Sequence, residues 1–295
     1  MSNFKIQNSS NILIVLITCS RTRQRQKIEE SCIEQLIKIV DTEKLNLSFM
    51  LFDNDSIYKE HLEAFAQIGS IFFASSNRGL WSAIHWVLKN ESNLYLSPHT
   101  YIHIIESDLH VKSFSPLLDI SEILSKFPNI HMVRTQEFSA RASWRFNKKY
   151  SRLPYPLHIR RSEVDLKNTS DFTHFQYRLI TKLGRYKLFT TNLNAKLPGF
   201  HKMESLKKVI YKLSKFESFS EKDFFRAYGD LSKEIAFLDS GIWYSLTDSK
   251  KNSKDTGSYG DPLYLDGIGY QETRHSVISE YKDTEVIMHA AHKPV

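Results

Sequence analysis

At 295 residues the chain is long enough to bury an ample core as one large or two small domains, so it needs no disulfide or metal staple. Its composition, 41% hydrophobic and 25% charged, is that of a globular protein and excludes a disordered or fibrous chain. The net charge of +7 is unevenly spread: Ser139 to Lys215 carries 18 Lys/Arg against 4 Asp/Glu, which leaves the other segments net acidic.

The longest apolar run, Ile12 to Ile17, is too short to span a bilayer. Met1 to Ser10 lacks the basic start and apolar centre of a signal peptide, so a cytoplasmic location is expected. Cys19 falls at a strand end and Cys32 inside a helix-like stretch, an arrangement that offers neither a disulfide framework nor a cysteine-rich zinc site.

Asn11 to Thr18 (NILIVLIT) reads as a buried strand, followed by the polar loop Cys19-Ser20-Arg21-Thr22-Arg23. A helix is expected from about Gln26 to Val40, where Ile28, Cys32, Ile33, Leu36, Ile37 and Val40 keep the helical period. Leu47 to Phe52 is a second strand. It ends in Asp53-Asn54-Asp55-Ser56, short polar side chains that suit a turn and the N-cap of a helix running to about Phe65. A third strand, Ser70 to Ala74, leads into Ser75-Ser76-Asn77-Arg78-Gly79 and a helix from Trp81 to Lys89. Gly79 permits close backbone approach or positive φ, and the new helix N-terminus offers amides to an anion.

The fourth strand opens the stretch Tyr101-Ile102-His103-Ile104-Ile105-Glu106-Ser107-Asp108-Leu109-His110-Val111. Its apolar run has the character of a strand buried on both faces, and it ends in two carboxylates spaced i, i+2. Parallel strands joined by helices would bring Ser20/Arg21, Asp53/Asp55, Asn77/Gly79 and Glu106/Asp108 to one edge of a sheet, where open α/β folds bind ligands. Two hard oxygen donors there suit Mg²⁺ or Mn²⁺ with positions open for a diphosphate, although an isolated acid-x-acid triplet is also an ordinary turn cap. Alternation puts His103 on a strand face in the core.

Pro116 to Phe127 is a helix and His131 to Thr135 a fifth strand, after which regular patterning weakens. The basic block that follows interleaves with Trp144, Phe146, Tyr150 and further aromatics. Met203 to Ser214 reads as a basic amphipathic helix. Ser220 and Asp223 have capping-box spacing at the start of another. A late strand pair is expected around Gly241, between Ile235 and Leu246. Thr247 to Gly269, rich in Gly, Asp, Ser and Lys, predicts a surface loop.

In order and spacing these motifs resemble GT-A glycosyltransferases of the family 2 type, over roughly residues 11 to 245. The resemblance implies a Rossmann-like, mixed, mainly parallel sheet flanked by helices. One continuous domain would hold a nucleotide-sugar half (1–135) and an acceptor-binding half (136–295) that carries the catalytic base. It implies that Thr18, Ser20 and Arg21 touch the nucleotide, that Asp53, with Asp55 close by, accepts from the base, and that Asn77 and Gly79 lie by the ribose and diphosphate. Glu106-Ser107-Asp108 matches the metal motif, with Asp108 the direct ligand to a diphosphate-bound Mn²⁺ or Mg²⁺. Glu106 departs from the family's usual Asp, yet its longer arm still reaches the ribose or a metal-bound water. Asp223 matches the acidic motif that supplies a catalytic base, and Glu221 competes with it; the plain alternative is a helix N-terminal acid held by the dipole. His289 or His292 would be a third metal ligand. The donor would be a nucleoside-diphosphate sugar, a UDP-sugar in particular.

Arg141, Trp144, Arg145, Arg160, Arg161, Lys182 and Arg185 would form the acceptor face. Basic side chains interleaved with aromatics follow a phosphate backbone and stack on bases, which fits a hydroxymethylated pyrimidine in DNA. They also suit an anionic glycan of surface polysaccharide synthesis, an anionic membrane surface, or simply a solvated basic face. A nucleotidyltransferase would open on a Gly-rich loop, and here that loop is TCSRTRQ; a non-catalytic nucleic-acid-binding protein would leave the four polar strand ends unexplained.

Overall fold

All seven residues of β1 (Ile12–Thr18) are buried because helices cover both faces of the strand. The computed structural model describes residues 11–94, 99–107, 109–135, 177–183, 186–191, 199–219, 223–224, 227–228, 234–238, 243–245 and 276–290. After β1 come α1 (Arg23–Glu43), β2 (Ser48–Asp53), a 3₁₀ helix (Leu62–Gln67), β3 (Ser70–Ala74), α2 (Leu80–Leu94), β4 (Tyr101–Glu106), β5 (Leu109–Val111) and α3 (Ser115–Lys126). The chain continues through β6 (Ile130–Arg134), β7 (Tyr177–Leu183), β8 (Tyr186–Thr191), β9 (Gly199–Lys202), α4 (Met203–Leu213), β10 (Glu234–Leu238), β11 (Trp243–Ser245) and β12 (Val286–Ala290).

Alternation along β1 divides the core in two. Ile12, Ile14 and Leu16 pack with Cys32, Ile33 and Leu36 of α1 and Leu117, Ile120 and Leu124 of α3. Leu13, Val15 and Ile17 pack with Ala83, Ile84 and Val87 of α2 and Leu206, Val209 and Ile210 of α4. Each buried Leu or Ile contributes roughly 1.5–3 kcal/mol of transfer free energy. Helix α1 begins at Arg23, three residues before the expected start at Gln26, because the Thr22 hydroxyl caps it by accepting from Arg25 N, and it ends at Lys44 in the left-handed region, φ 48°.

The large sheet runs β12-β3-β2-β1-β4-β9-β6-β10-β8-β7. β3, β2, β1 and β4 are mutually parallel, and β10 is parallel to β6. The chain winds outward from β1 to β3 and α2 carries it back to β4 on the other side of β1, so strand order reverses between β1 and β4. β9 enters antiparallel between β4 and β6, the hairpin β7–β8 closes one end, and β12 lies antiparallel along β3 at the other. This is the mixed, helix-flanked sheet of the expected class, and strands from before and after residue 135 alternate within it.

Several elements differ from expectation. The helix expected to run to Phe65 is a loop and a short 3₁₀ helix: Asp55 turns the chain at φ 64°, and the amides of Ile57 and Tyr58 tie the next residues to the Ser20 carbonyl. The stretch from Tyr101 to Val111 breaks at Ser107, and β5 leaves to pair with β11 in a separate two-stranded sheet. β10 and β11 therefore do not pair with each other as expected around Gly241. β7, β8, β9 and β12 were not foreseen. Among the described residues no helix is long and apolar enough to cross a membrane.

Candidate functional site

The register sets Thr18 beside Asp53 and Ile17 beside Glu106, with β3 next to β2, so the four strand ends meet along one edge. Its floor is built from hydroxyls around one carboxylate. Thr18 Oγ1 donates to Asp53 Oδ1 at 3.0 Å, Ser56 Oγ donates to the same oxygen, and Ser56 N donates to Oδ2 at 3.1 Å. Lys59 Nζ stands 3.4 Å from Oδ2. Burial raises the Asp53 pKa against the pull of Ser56, Lys59 and Thr18. Ser20 N donates to Ser56 Oγ at 2.5 Å, while the Ser20 carbonyl accepts from the amides of Ile57 and Tyr58. Thr18, Ser20 and Asp53 are thus buried beneath the crevice. Asp53, expected to accept from a base, ties the loop after β2 to the end of β1.

The rim is more open. Arg21 pairs with Asp55 at 2.8 Å, each side chain about one third exposed. Asn77 organises the loop after β3: its Oδ1 accepts from Asn54 Nδ2 at 2.9 Å and Gly79 N at 2.8 Å, and its Nδ2 lies 3.2 Å from Cys19 Sγ. Gly79 takes φ 82°, a conformation that a side chain would strain, and α2 starts directly after it. Tyr281 OH donates to Asn54 Oδ1 at 2.5 Å, and Arg78 Nη2 meets Glu285 at 2.5 Å, so the segment before β12 folds back against this loop. Burial pushes the Cys19 thiol up to about 11, which keeps it protonated and unreactive at neutral pH.

Four donors on this edge are buried with no hydrogen-bond partner among the described residues: Ser20 Oγ, Arg21 Nε, Ser76 Oγ and Arg78 Nε. A buried donor left unpaired costs about 1–3 kcal/mol, so a cluster of them fits a ligand rich in acceptor oxygens.

Glu106, half-buried, ends β4 at the crevice. Ser107 follows in the turn, where its Oγ donates to Glu29 Oε1 at 2.8 Å and accepts from Arg25 Nη2 at 2.9 Å. Glu29 Oε1 also accepts from Cys19 N at 3.1 Å and Arg25 Nε at 3.2 Å, and His61 Nε2 stands 3.5 Å from Oε2. Burial alone would raise the pKa of Glu29. His61, Arg25, Ser107 and the Cys19 amide outweigh it, and the carboxyl is held below its ordinary value. Sequence reading missed Glu29, although a signal was there: it stands at the first position of the buried stripe 29, 32, 33, 36.

Asp223 is half-buried in a helical turn beside Phe224, whose ring lies 4.6 Å from that of Trp81 in the first turn of α2. The contact seats Phe224, the residue after Asp223, in the core on the face that α2 and α4 cover. His289 is not brought to the acid pair. It lies on β12, 3.4 Å from Glu63 and over Phe73, four strand spacings or about 19 Å across the sheet from β4. Among the described residues no three His, Cys, Asp or Glu side chains group as a metal site. His103 is wholly buried, with Nδ1 2.9 Å from the Gly199 carbonyl, as a core histidine. Lys182 lies on β7 opposite Lys187 of β8. Asp108, Glu221, His292, Arg141, Trp144, Arg145, Arg160, Arg161 and Arg185 fall outside the described residues.

These features define an open, doubly wound α/β protein whose strand order reverses between β1 and β4, the place where sheets of this class bind ligands. No protein-family model and no curated protein matches the sequence. Solved structures similar to this chain include residues 1–349 of S. aureus TarS, at 11% identity over 83% of this chain and 61% of that one, with a TM-score of 0.47. Glucosyl-3-phosphoglycerate synthase from Mycobacterium tuberculosis, in complex with Mg²⁺ and UDP, shows 13% identity over 90% of this chain and 77% of that one, TM-score 0.42. The 4-diphosphocytidyl-2C-methyl-D-erythritol synthase of Anaerococcus prevotii shows 10% identity over 90% and 100%, TM-score 0.43. The chain thus spans about three fifths of the TarS structure it matches.

Proposed function

We propose that the protein is a glycosyltransferase that moves a sugar from a nucleoside-diphosphate sugar, a UDP-sugar first among them, to an acceptor hydroxyl. The observation that carries this reading is the convergence of four buried donor atoms without a partner among the described residues, Ser20 Oγ, Arg21 Nε, Ser76 Oγ and Arg78 Nε, with Glu106 on one edge at the reversal of strand order. Arg21, Asp55, Asn77 and Gly79 would line the nucleotide, over a floor of Thr18, Ser20 and Asp53. The donor chemistry at the end of β4 fits a hard cation: Glu106, with Asp108, would hold Mn²⁺ or Mg²⁺ through carboxylate oxygens. When bound, such an ion neutralises charge on the leaving diphosphate.

Transfer breaks the bond between the anomeric carbon and the diphosphate oxygen and forms one to the acceptor oxygen. The acceptor proton goes to a general base, assigned to Asp223 with Glu221 as its competitor. The acceptor is assigned to a polyanion, with hydroxymethylated pyrimidine in DNA set against an anionic surface glycan, on the strength of the basic block from Ser139 to Lys215.

Incubation with a panel of nucleoside-diphosphate sugars and Mn²⁺ tests the reading. Donor hydrolysis and a raised melting temperature with one donor are expected. Asp108→Ala should abolish both transfer and metal-dependent donor binding, and full activity of that variant in EDTA would sink the assignment. Asp223→Asn should cost about a hundredfold or more in turnover with donor affinity little changed, because a general base acts in the transition state. Loss of melting temperature alone would return Asp223 to a helix cap.

A further inference from the structure

Glu29 touches two of the loops that build the crevice. Its Oε1 accepts from Cys19 N, in the loop after β1, and from Ser107 Oγ, in the turn that carries the acid pair. Arg25 closes the triangle, donating to Glu29 through Nε and to Ser107 through Nη2. The Glu29 side chain is fully buried and that of Arg25 is 12% exposed. An apolar residue at this place on the α1 stripe would complete the core more cheaply, since burying a carboxylate costs several kcal/mol before its partners compensate. What the carboxylate adds is a side-chain tie between the two loops beyond Ile17 and Glu106, where the ladder of β1 with β4 ends.

We propose that Glu29 is a positioning residue: through Ser107 it sets the end of β4, with Glu106, against the loop after β1, so that a nucleoside diphosphate and its cation meet a preset geometry. The role rests on the nucleotide-sugar reading above. Residues behind a metal-binding or reacting group act by orientation, and small misplacements of such groups are costly.

The test uses the full chain, with UDP and Mn²⁺ as probes, by titration calorimetry and thermal melting. Ser107→Ala cuts the link but leaves Glu29 its contacts to Cys19 and Arg25, so it should melt within a few degrees of the parent. Its affinity for UDP with Mn²⁺ should fall about tenfold or more, while metal-free uridine binding stays within about twofold and Ser107→Thr restores the parent value. Glu29→Gln should behave like Ser107→Ala; if it fails to melt cooperatively, the two Ser107 variants decide alone. Binding of UDP and Mn²⁺ to Ser107→Ala as tight as to the parent overturns the proposal and leaves Glu29 an anchor of the fold. A parent protein that binds no nucleoside diphosphate, with or without metal, overturns the nucleotide reading itself and the positioning role with it.

Discussion

Asp53 and Asp55 stand two residues apart at the end of β2, yet the structure gives them opposite surroundings. Asp53 is fully buried with Thr18, Ser56 and Lys59 around its oxygens, whereas Asp55 faces the rim with Arg21. Replacing Asp53 by Ala strips a buried acceptor from two hydroxyls and leaves Lys59 without its carboxylate, which should cost about 2–4 kcal/mol in urea unfolding. Asp55→Ala removes an ion pair with both side chains about one third exposed. It should change stability by less than about 1 kcal/mol, yet weaken UDP binding about tenfold if the rim holds the nucleotide. Equal loss of stability in both variants, with nucleotide affinity untouched, would show the whole loop to be scaffold. Short polar residues after a strand announce a turn, but which carboxylate turns inward depends on Ser56 and Lys59 closing over it, a tertiary fact.

At the scale of elements, β1 to β4 and α1 to α3 were legible because long apolar runs carry their own period, buried on both faces in the strands and striped in the helices. β9 was not. Its four residues, Gly-Phe-His-Lys, have no strand signature, and only the gap between β4 and β6 makes them one. The insertion needs Gly199, where a Cβ would come within 2.4 Å of His201 Nε2. It also buries two imidazoles on neighbouring strands. Burial, eased slightly by the Gly199 carbonyl, lowers the His103 pKa to about 4; burial and the nearby His103 lower His201 to about 3. An unfolded chain takes protons at these histidines below about pH 6.5, while the folded chain refuses them until far lower. Stability should therefore be complete above about pH 6.5 and fall toward pH 4 by about 1.4 kcal/mol per pH unit for each imidazole. Glu29 acts in a lower window, since its depressed pKa draws stability away only below the ordinary carboxylate range. Urea midpoints measured between pH 7 and 4.5 check this: His103→Asn or His201→Asn, where folded, should each flatten the slope. A slope unchanged in both variants would mean the imidazoles accept protons inside the fold.

For the whole molecule, charge is segregated along the chain. The acidic remainder holds the crevice, and the block from Ser139 to Lys215 is net +14. Its strands β8 and β7 end the sheet five and six strand spacings from β1, about 24 and 29 Å away, with Lys182 and Lys187 opposite one another, while β9 of the same block lies beside β4. If this block is the acceptor face for nucleic acid, DNA affinity should fall log-linearly with salt, because each neutralised phosphate releases a counterion. Reversing the charge of Arg160, Arg161, Lys182 and Arg185 together should flatten that slope while hydrolysis of the donor sugar, which uses residues around β1 to β4, persists. Loss of hydrolysis in the same variant would place the basic block in the donor site instead. Binding alone decides little, since any basic protein shows a salt slope. The deciding measurement is transfer of labelled sugar onto DNA with and without hydroxymethylated pyrimidines, run beside a panel of anionic glycans. Label confined to hydroxymethylated DNA assigns the face to nucleic acid. Label on a glycan and on no DNA assigns it to surface polysaccharide, with the same crevice supplying the donor.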